Sequence, residues 1–121
     1  MTNIIESSKT YTKQSIFRMT HNSESLKNIP EGEVLSIAGW AVLETLRESD
    51  SGEEKPARIL ILEVVDIEGK SSYIATQSDV VYRELKDIWE AFADPDMTAI
   101  DCVHVIGVAK SGRTFHNIRV V

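Results

Sequence analysis

The side chains able to do chemistry are few and scattered. Histidines stand at positions 21, 104 and 116, and the one cysteine is Cys102. No HxxxH or HExxH spacing occurs, and a lone Cys cannot begin a CxxC zinc site, so no metal centre is expected. Cys102 and His104 are i and i+2 on one strand face, without the third orienting group of a nucleophilic triad. The expectation is therefore a small buried hydrophobe and a satisfied barrel histidine. Glu53 and Glu54 are adjacent on a polar stretch and point apart, which makes a poor acid/base pair. Phosphate-cradling GxxxxGK[ST] and GxGxxG loops are absent. The residues read as a non-enzyme without a cofactor.

What recurs instead is aromatic and basic side chains on strand-like segments. Tyr73 follows Lys70, and Phe115 and Arg119 lie at i and i+4, on one face of a strand. Lys110 and Arg113 flank the turn before them, and Trp40 and Arg58 lie on two earlier strands. Single-stranded nucleic-acid binders need this mixture, because every base offers a π-face and every linkage a charge. Each aromatic has a plainer role open to it in a barrel core, Trp40 and Phe115 above all. Trp89 and Phe92, on the helix described next, read as core or partner-facing.

These residues need elements to hold them. Residues 1–30 are polar, with a short strand expected around Thr12–Met19. Asn28 to Gly32 is a turn, since Pro30 fixes φ and Gly32 permits reversal. Val34–Leu46 is a long strand whose Gly39 marks a bulge. Arg47–Ala57 reads as a flexible polar loop. Arg58–Asp66 and Lys70–Thr76 are strands joined by a turn at Asp66–Gly69. One helix is expected over about 79–93, capped by Ser78, with an apolar stripe of Val81, Leu85, Ile88 and Phe92. Arg83 with Asp87 and Lys86 with Glu90 are i,i+4 pairs on its outer surface. Ile100–Ala109 and Thr114–Val121 are strands joined by a hairpin at Lys110–Arg113. Strand, strand, strand, helix, strand, strand is the order of a five-stranded antiparallel OB barrel with its helix between strands 3 and 4. A small α+β sandwich would give a similar string.

The 121 residues suit a single OB-fold domain, with residues 1–30 as an N-terminal extension. Hydrophobic residues make up 42% and charged residues 26%, unlike a disordered chain. Net charge is −6 and unevenly spread. Residues 79–101 hold seven carboxylates against Arg83 and Lys86, a local net of −5 that leaves −1 elsewhere. The last twenty residues carry Lys110, Arg113 and Arg119 with no acid. A polycation is excluded; a local basic groove is not. No apolar run reaches the ~20 residues of a membrane span, and the N-terminus lacks a signal pattern. The expected compartment is the cytoplasm.

At Ser25-Leu26-Lys27-Asn28-Ile29-Pro30-Glu31-Gly32, followed by a long strand, the sequence resembles the small single-stranded DNA-binding proteins of protein-priming tailed phages of Bacillus and relatives. Those proteins carry a near-identical segment (Ser-hydrophobe-Lys-Asn-hydrophobe-Pro-acid-Gly) at a similar place. The similarity continues through Tyr73-Ile74-Ala75, the helix start after Thr76, and the Lys110-Ser111-Gly112 hairpin, and so spans residues 16–121. It implies an OB fold that coats displaced strands during phage genome replication without sequence preference, in the host cytoplasm. Tyr73 matches a tyrosine implicated in stacking. Near Leu43, where relatives place a first-strand tyrosine, this chain has an aliphatic residue, and its Arg47–Ala57 stretch is acidic. The chain ends within its last strand, without the acidic recruitment tail of bacterial housekeeping binders.

The DNA-binding residues so expected are Tyr73, Phe115 and Trp40 as stacking platforms, with Lys70, Arg58, Lys110, Arg113 and Arg119 on phosphates. Candidate partners are single-stranded DNA, the phage DNA polymerase and a second copy of the chain. The rival expectation is an acidic interaction protein that mimics DNA, working through Asp87, Glu90 and Asp94.

Overall fold

The computed structural model of the protein describes residues 3–48 and 51–121, with backbone alone for Arg47 and Glu48. In chain order the elements are β1 (Asn3–Ser7), α1 (Lys13–His21), β2 (Glu24–Ser25), a 3-10 turn (Leu26–Asn28), β3 (Val34–Glu48), β4 (Glu54–Val65), β5 (Ser71–Thr76), α2 (Asp79–Phe92), β6 (Ile100–Val108) and β7 (Thr114–Val120). One curled sheet contains all the strands in the order β2-β5-β4-β3-β6-β7, with β1 also paired to β3. The result is a mostly-β half-barrel with two helices.

The five long strands follow from their sequence pattern. β3 and β4 pair antiparallel from Ile37↔Val64 to Glu48↔Glu54, and the register slips between Ile37 and Gly39. A Cβ at Gly39 would lie 2.3 Å from Tyr11 Oη and 2.9 Å from Glu63 Oε1, so the bulge is also a place of close approach. β4 pairs with β5, β3 with β6, and β6 with β7, all antiparallel. Asp66 Oδ1 accepts from the amides of Glu68 and Lys70, and Gly69 takes φ +81°, which closes the β4–β5 turn. Gly112 takes φ +86° in the β6–β7 hairpin.

The centre of the sheet is buried on both faces, which is why Leu60 to Glu63 of β4 form an unbroken buried run, whereas β6 alternates buried with more open positions. Inside the curl, Leu35, Ile37, Trp40, Leu62, Ile74, Cys102 and Ile118 pack against Val81, Leu85 and Ile88 of α2. On the outer face, Ala41, Leu43, Ile61 and Tyr73 pack against Met19 of α1. Ser78 caps α2, its Oγ accepting from the Val81 amide at 3.3 Å.

Several expectations are corrected. The sheet has seven strands and is mixed rather than five and antiparallel, because β2 runs parallel to β5. Thr12–Met19 is not a strand: Thr12 caps α1, its Oγ1 accepting from the Ser15 amide at 3.1 Å. Arg47–Ala57 is largely a ladder extension, with Arg47↔Lys55 and Leu46↔Pro56 in register. Positions 49 and 50 of that stretch lie outside the described residues. Phe92 leaves the apolar stripe and is 55% exposed, because α2 ends there. The expected Arg83–Asp87 and Lys86–Glu90 pairs do not form: Arg83 Nε donates to the Asp79 carbonyl, and Lys86 is drawn to Glu6 of β1.

Candidate functional site

The three aromatic candidates occupy three different environments. Tyr73 is 3% exposed, on the outer face of β5 beneath α1. The Arg18 guanidinium lies 5.2 Å from its ring centre. Trp40 is 4% exposed in the inner core, with Lys86 Nζ 5.0 Å from its ring centre. Neither ring has an open face for a base. Phe115 does not share their burial. It is half-buried on β7 and lies over Gly107, its cross-strand partner, where a Cβ would meet Phe115 Cζ at 2.5 Å. The missing side chain at Gly107 is what lets the ring lie down on the sheet.

The cations separate as well. Lys70 lines a large open cleft, about 990 Å³, together with Arg18, Tyr73, Glu24, Glu33, Asp66 and Asp101. Four carboxylates against two cations make that cleft unfavourable to a polyanion. Arg58 is exposed on β4, paired across the ladder with Glu44, and lines a small hollow with Glu6 and Asp79. Lys110 and Arg113 are exposed on the β6–β7 hairpin, and Arg119 is exposed on β7, four residues from Phe115.

A groove near Phe115 has a different character. Two adjoining hollows, of about 310 and 320 Å³, share Lys27, Thr76 and Gln77. One extends to Thr114, Phe115 and His116 at the start of β7. The other extends along the outer face to Ser23, Ile59 and Ala75. No carboxylate lines either hollow, although the chain carries 19 acids. Lys27, Gln77 and His116 were not anticipated as site residues. Lys27 belongs to the octamer singled out above, so its signal was present; Gln77 and His116 are brought there by the curl of the sheet.

The polar cluster on the opposite end of the outer face is structural. Glu63, 8% exposed, accepts from Tyr11 Oη at 3.2 Å and Ser71 Oγ at 3.1 Å and pairs with Lys9 Nζ at 2.7 Å. Burial and the neighbouring Glu63 carboxylate raise the Tyr11 hydroxyl well above its ordinary value. This cluster ties the segment before α1 to β4 and β5. On the other side, Glu6 binds Lys86 and accepts from Tyr82 Oη at 2.7 Å, fastening β1 to α2. The hydrogen bond from Lys86, then that from Tyr82, holds the Glu6 carboxyl below its ordinary range.

Among the described residues, no group of three or more His, Cys, Asp or Glu is placed to hold a metal ion, and no helix is long and apolar enough to cross a membrane. No protein-family model, no curated protein and no solved structure matches the chain.

Proposed function

We propose that the protein is an OB-type, sequence-independent single-stranded DNA-binding protein that coats displaced strands during phage genome replication. The observation that carries this reading is the carboxylate-free groove beside Phe115 in a chain of net charge −6. A path free of carboxylates spares an anionic strand the repulsion that it would meet elsewhere on this acidic surface.

The fold supports the same reading. Taken as strands 1 to 5 of a barrel, β3 to β7 lie in the order 3-2-1-4-5, with α2 entering between strands 3 and 4. OB barrels bind oligonucleotides on the face of strands 2 and 3 and at the loop between strands 4 and 5. Ile59 and Ala75 of the groove lie on those two strands, and Phe115 follows the hairpin that carries Lys110 and Arg113. In this reading Phe115 is the stacking platform and Lys27, Lys110, Arg113 and Arg119 neutralise phosphates. Tyr73 and Trp40 act in the core, and Lys70 and Arg58 stand among carboxylates.

The DNA-mimic reading has one observation in its favour. Asp87, Glu90 and Asp94 are exposed and pair with no cation among the described residues. Fluorescence titration with oligothymidylate, against a duplex of equal length, separates the two. A strand binder prefers the oligothymidylate and is indifferent to neutralising Asp87 and Glu90; a mimic binds neither nucleic acid.

A further inference from the structure

His104 of β6 is fully buried, and both of its ring nitrogens are engaged. Nδ1 lies 3.3 Å from the Pro30 carbonyl oxygen, and Nε2 lies 2.9 Å from Nδ1 of His116 on β7. A carbonyl only accepts, so the hydrogen of the neutral His104 ring is on Nδ1 and its Nε2 is a bare acceptor. Nδ1 of His116 is therefore the donor between the rings. The remaining nitrogen, Nε2 of His116, is left as a lone pair, and no described residue donates to it. His116 lines the groove with Lys27 and Phe115.

We propose that Nε2 of His116 is a proton-controlled phosphate contact, so that the groove holds single-stranded DNA more tightly in mild acid than at neutral pH. Neutral, this nitrogen presents a lone pair, which repels a phosphate oxygen. Taking a proton from solvent turns it into a charged donor, and the relay to His104 and Pro30 is left unchanged. The proposal rests on the single-strand reading above and adds a site residue and its control to it.

The groups facing His116 set the direction of its response. His104 faces it from β6 and Lys27 from the 3-10 turn, and there is no carboxylate in the groove to favour the charged ring. The nearby Glu31 carboxylate accepts from the amide of Ile106, the cross-strand partner of His116, at 2.9 Å. Partial burial, then His104 and Lys27, hold His116 below its ordinary value in the free protein. A bound phosphate supplies the missing negative charge and by linkage must raise it.

The test uses the full chain and a short oligothymidylate at about pH 7.5 and about pH 5.5, either side of the ordinary histidine value. The wild type is expected to bind about fivefold more tightly at the lower pH, the scale of one exposed charge pair. His116→Asn keeps a side-chain amide near the position of Nδ1, and so its bond to His104, but has no proton to gain; its affinity should lack this gain. Independently of any variant, the His116 ring signal of the wild type, followed by NMR, should titrate at a higher pH with oligothymidylate bound than without. A wild-type gain no larger than that of His116→Asn, or a His116 midpoint unmoved or lowered by the oligonucleotide, overturns the proposal while leaving strand binding intact. Absence of binding at both pH values removes the single-strand reading and this contact with it.

Discussion

The Arg18 guanidinium of α1 lies over the ring of Tyr73 at 5.2 Å, and its Nη2 donates to the Ser71 carbonyl at 2.8 Å. Met19, the one fully buried residue of α1, closes the same surface beside it. Arg18 and Met19 thus close over the tyrosine that the family resemblance offered as a stacking platform and make it a core residue.

Tyr73→Ala should therefore cost about 3 kcal/mol of folding stability, the scale of an aromatic-to-alanine change in a core. The affinity of the folded fraction for oligothymidylate should stay as in wild type. Urea unfolding and a titration on the same preparation check both. A normal unfolding midpoint with weakened binding would place Tyr73 back on the binding surface.

Phe115 should behave in the opposite way. Phe115→Ala is expected to weaken single-strand binding by about 1–3 kcal/mol, one stacked base, with a small change in stability. Gly107→Ala offers a second route to the same loss, since its Cβ would occupy the position of the Phe115 ring edge. Binding unchanged in both variants would remove Phe115 from the site.

Acid should destabilise the protein in two steps. His116 is held below its ordinary value of 6.5, chiefly by burial, so its neutral form contributes stability above that pH and the contribution is lost as pH falls through the folded-state value. Glu6 is held below its ordinary 4.5, chiefly by the hydrogen bond from Lys86, so its contribution persists to lower pH and is lost only as that carboxyl takes its proton. Urea midpoints measured from neutral pH downward should show a first fall that His116→Asn lacks and a second that Glu6→Gln lacks. A midpoint that rises on acidification contradicts this assignment.

Cys102 is fully buried, and burial, with Asp101 and Glu84 adding to it, pushes its thiol up to about 11. A thiol reagent at mildly alkaline pH should label it only as fast as the protein unfolds. Labelling much faster than unfolding would show an opening of the inner core that the packing does not provide.

The part of this fold legible in the sequence is the part whose pattern repeats. The strand periodicity of Arg58–Asp66, the capped stripe Val81–Leu85–Ile88 and the turn residues at Gly69 and Gly112 locate β4 to β7 and α2 within a few residues. α1 was hidden because its Ile16-Phe17 pair looks strand-like, while only Met19 is fully buried and Phe17 is 59% exposed. The far end of the β3–β4 ladder was hidden because its exposed charges, Lys55 and Glu54, resemble a loop. Both failures affect the site. α1 is what buries Tyr73, and the 3-10 turn beyond it is what brings Lys27 to Phe115, a juxtaposition that no local pattern encodes.

The central claim is that the carboxylate-free groove holds a single strand, and the salt dependence of oligothymidylate binding tests it most directly. With Lys27, Lys110, Arg113 and Arg119 on phosphates, log affinity against log salt should have a slope no steeper than about −3, at roughly 0.7 per contact. Lys27→Ala should flatten that slope by about 0.7, whereas Lys70→Ala, in the acidic cleft, should leave it unchanged. Loss of slope on removing Lys70 but not Lys27, or an affinity indifferent to salt, would contradict the account.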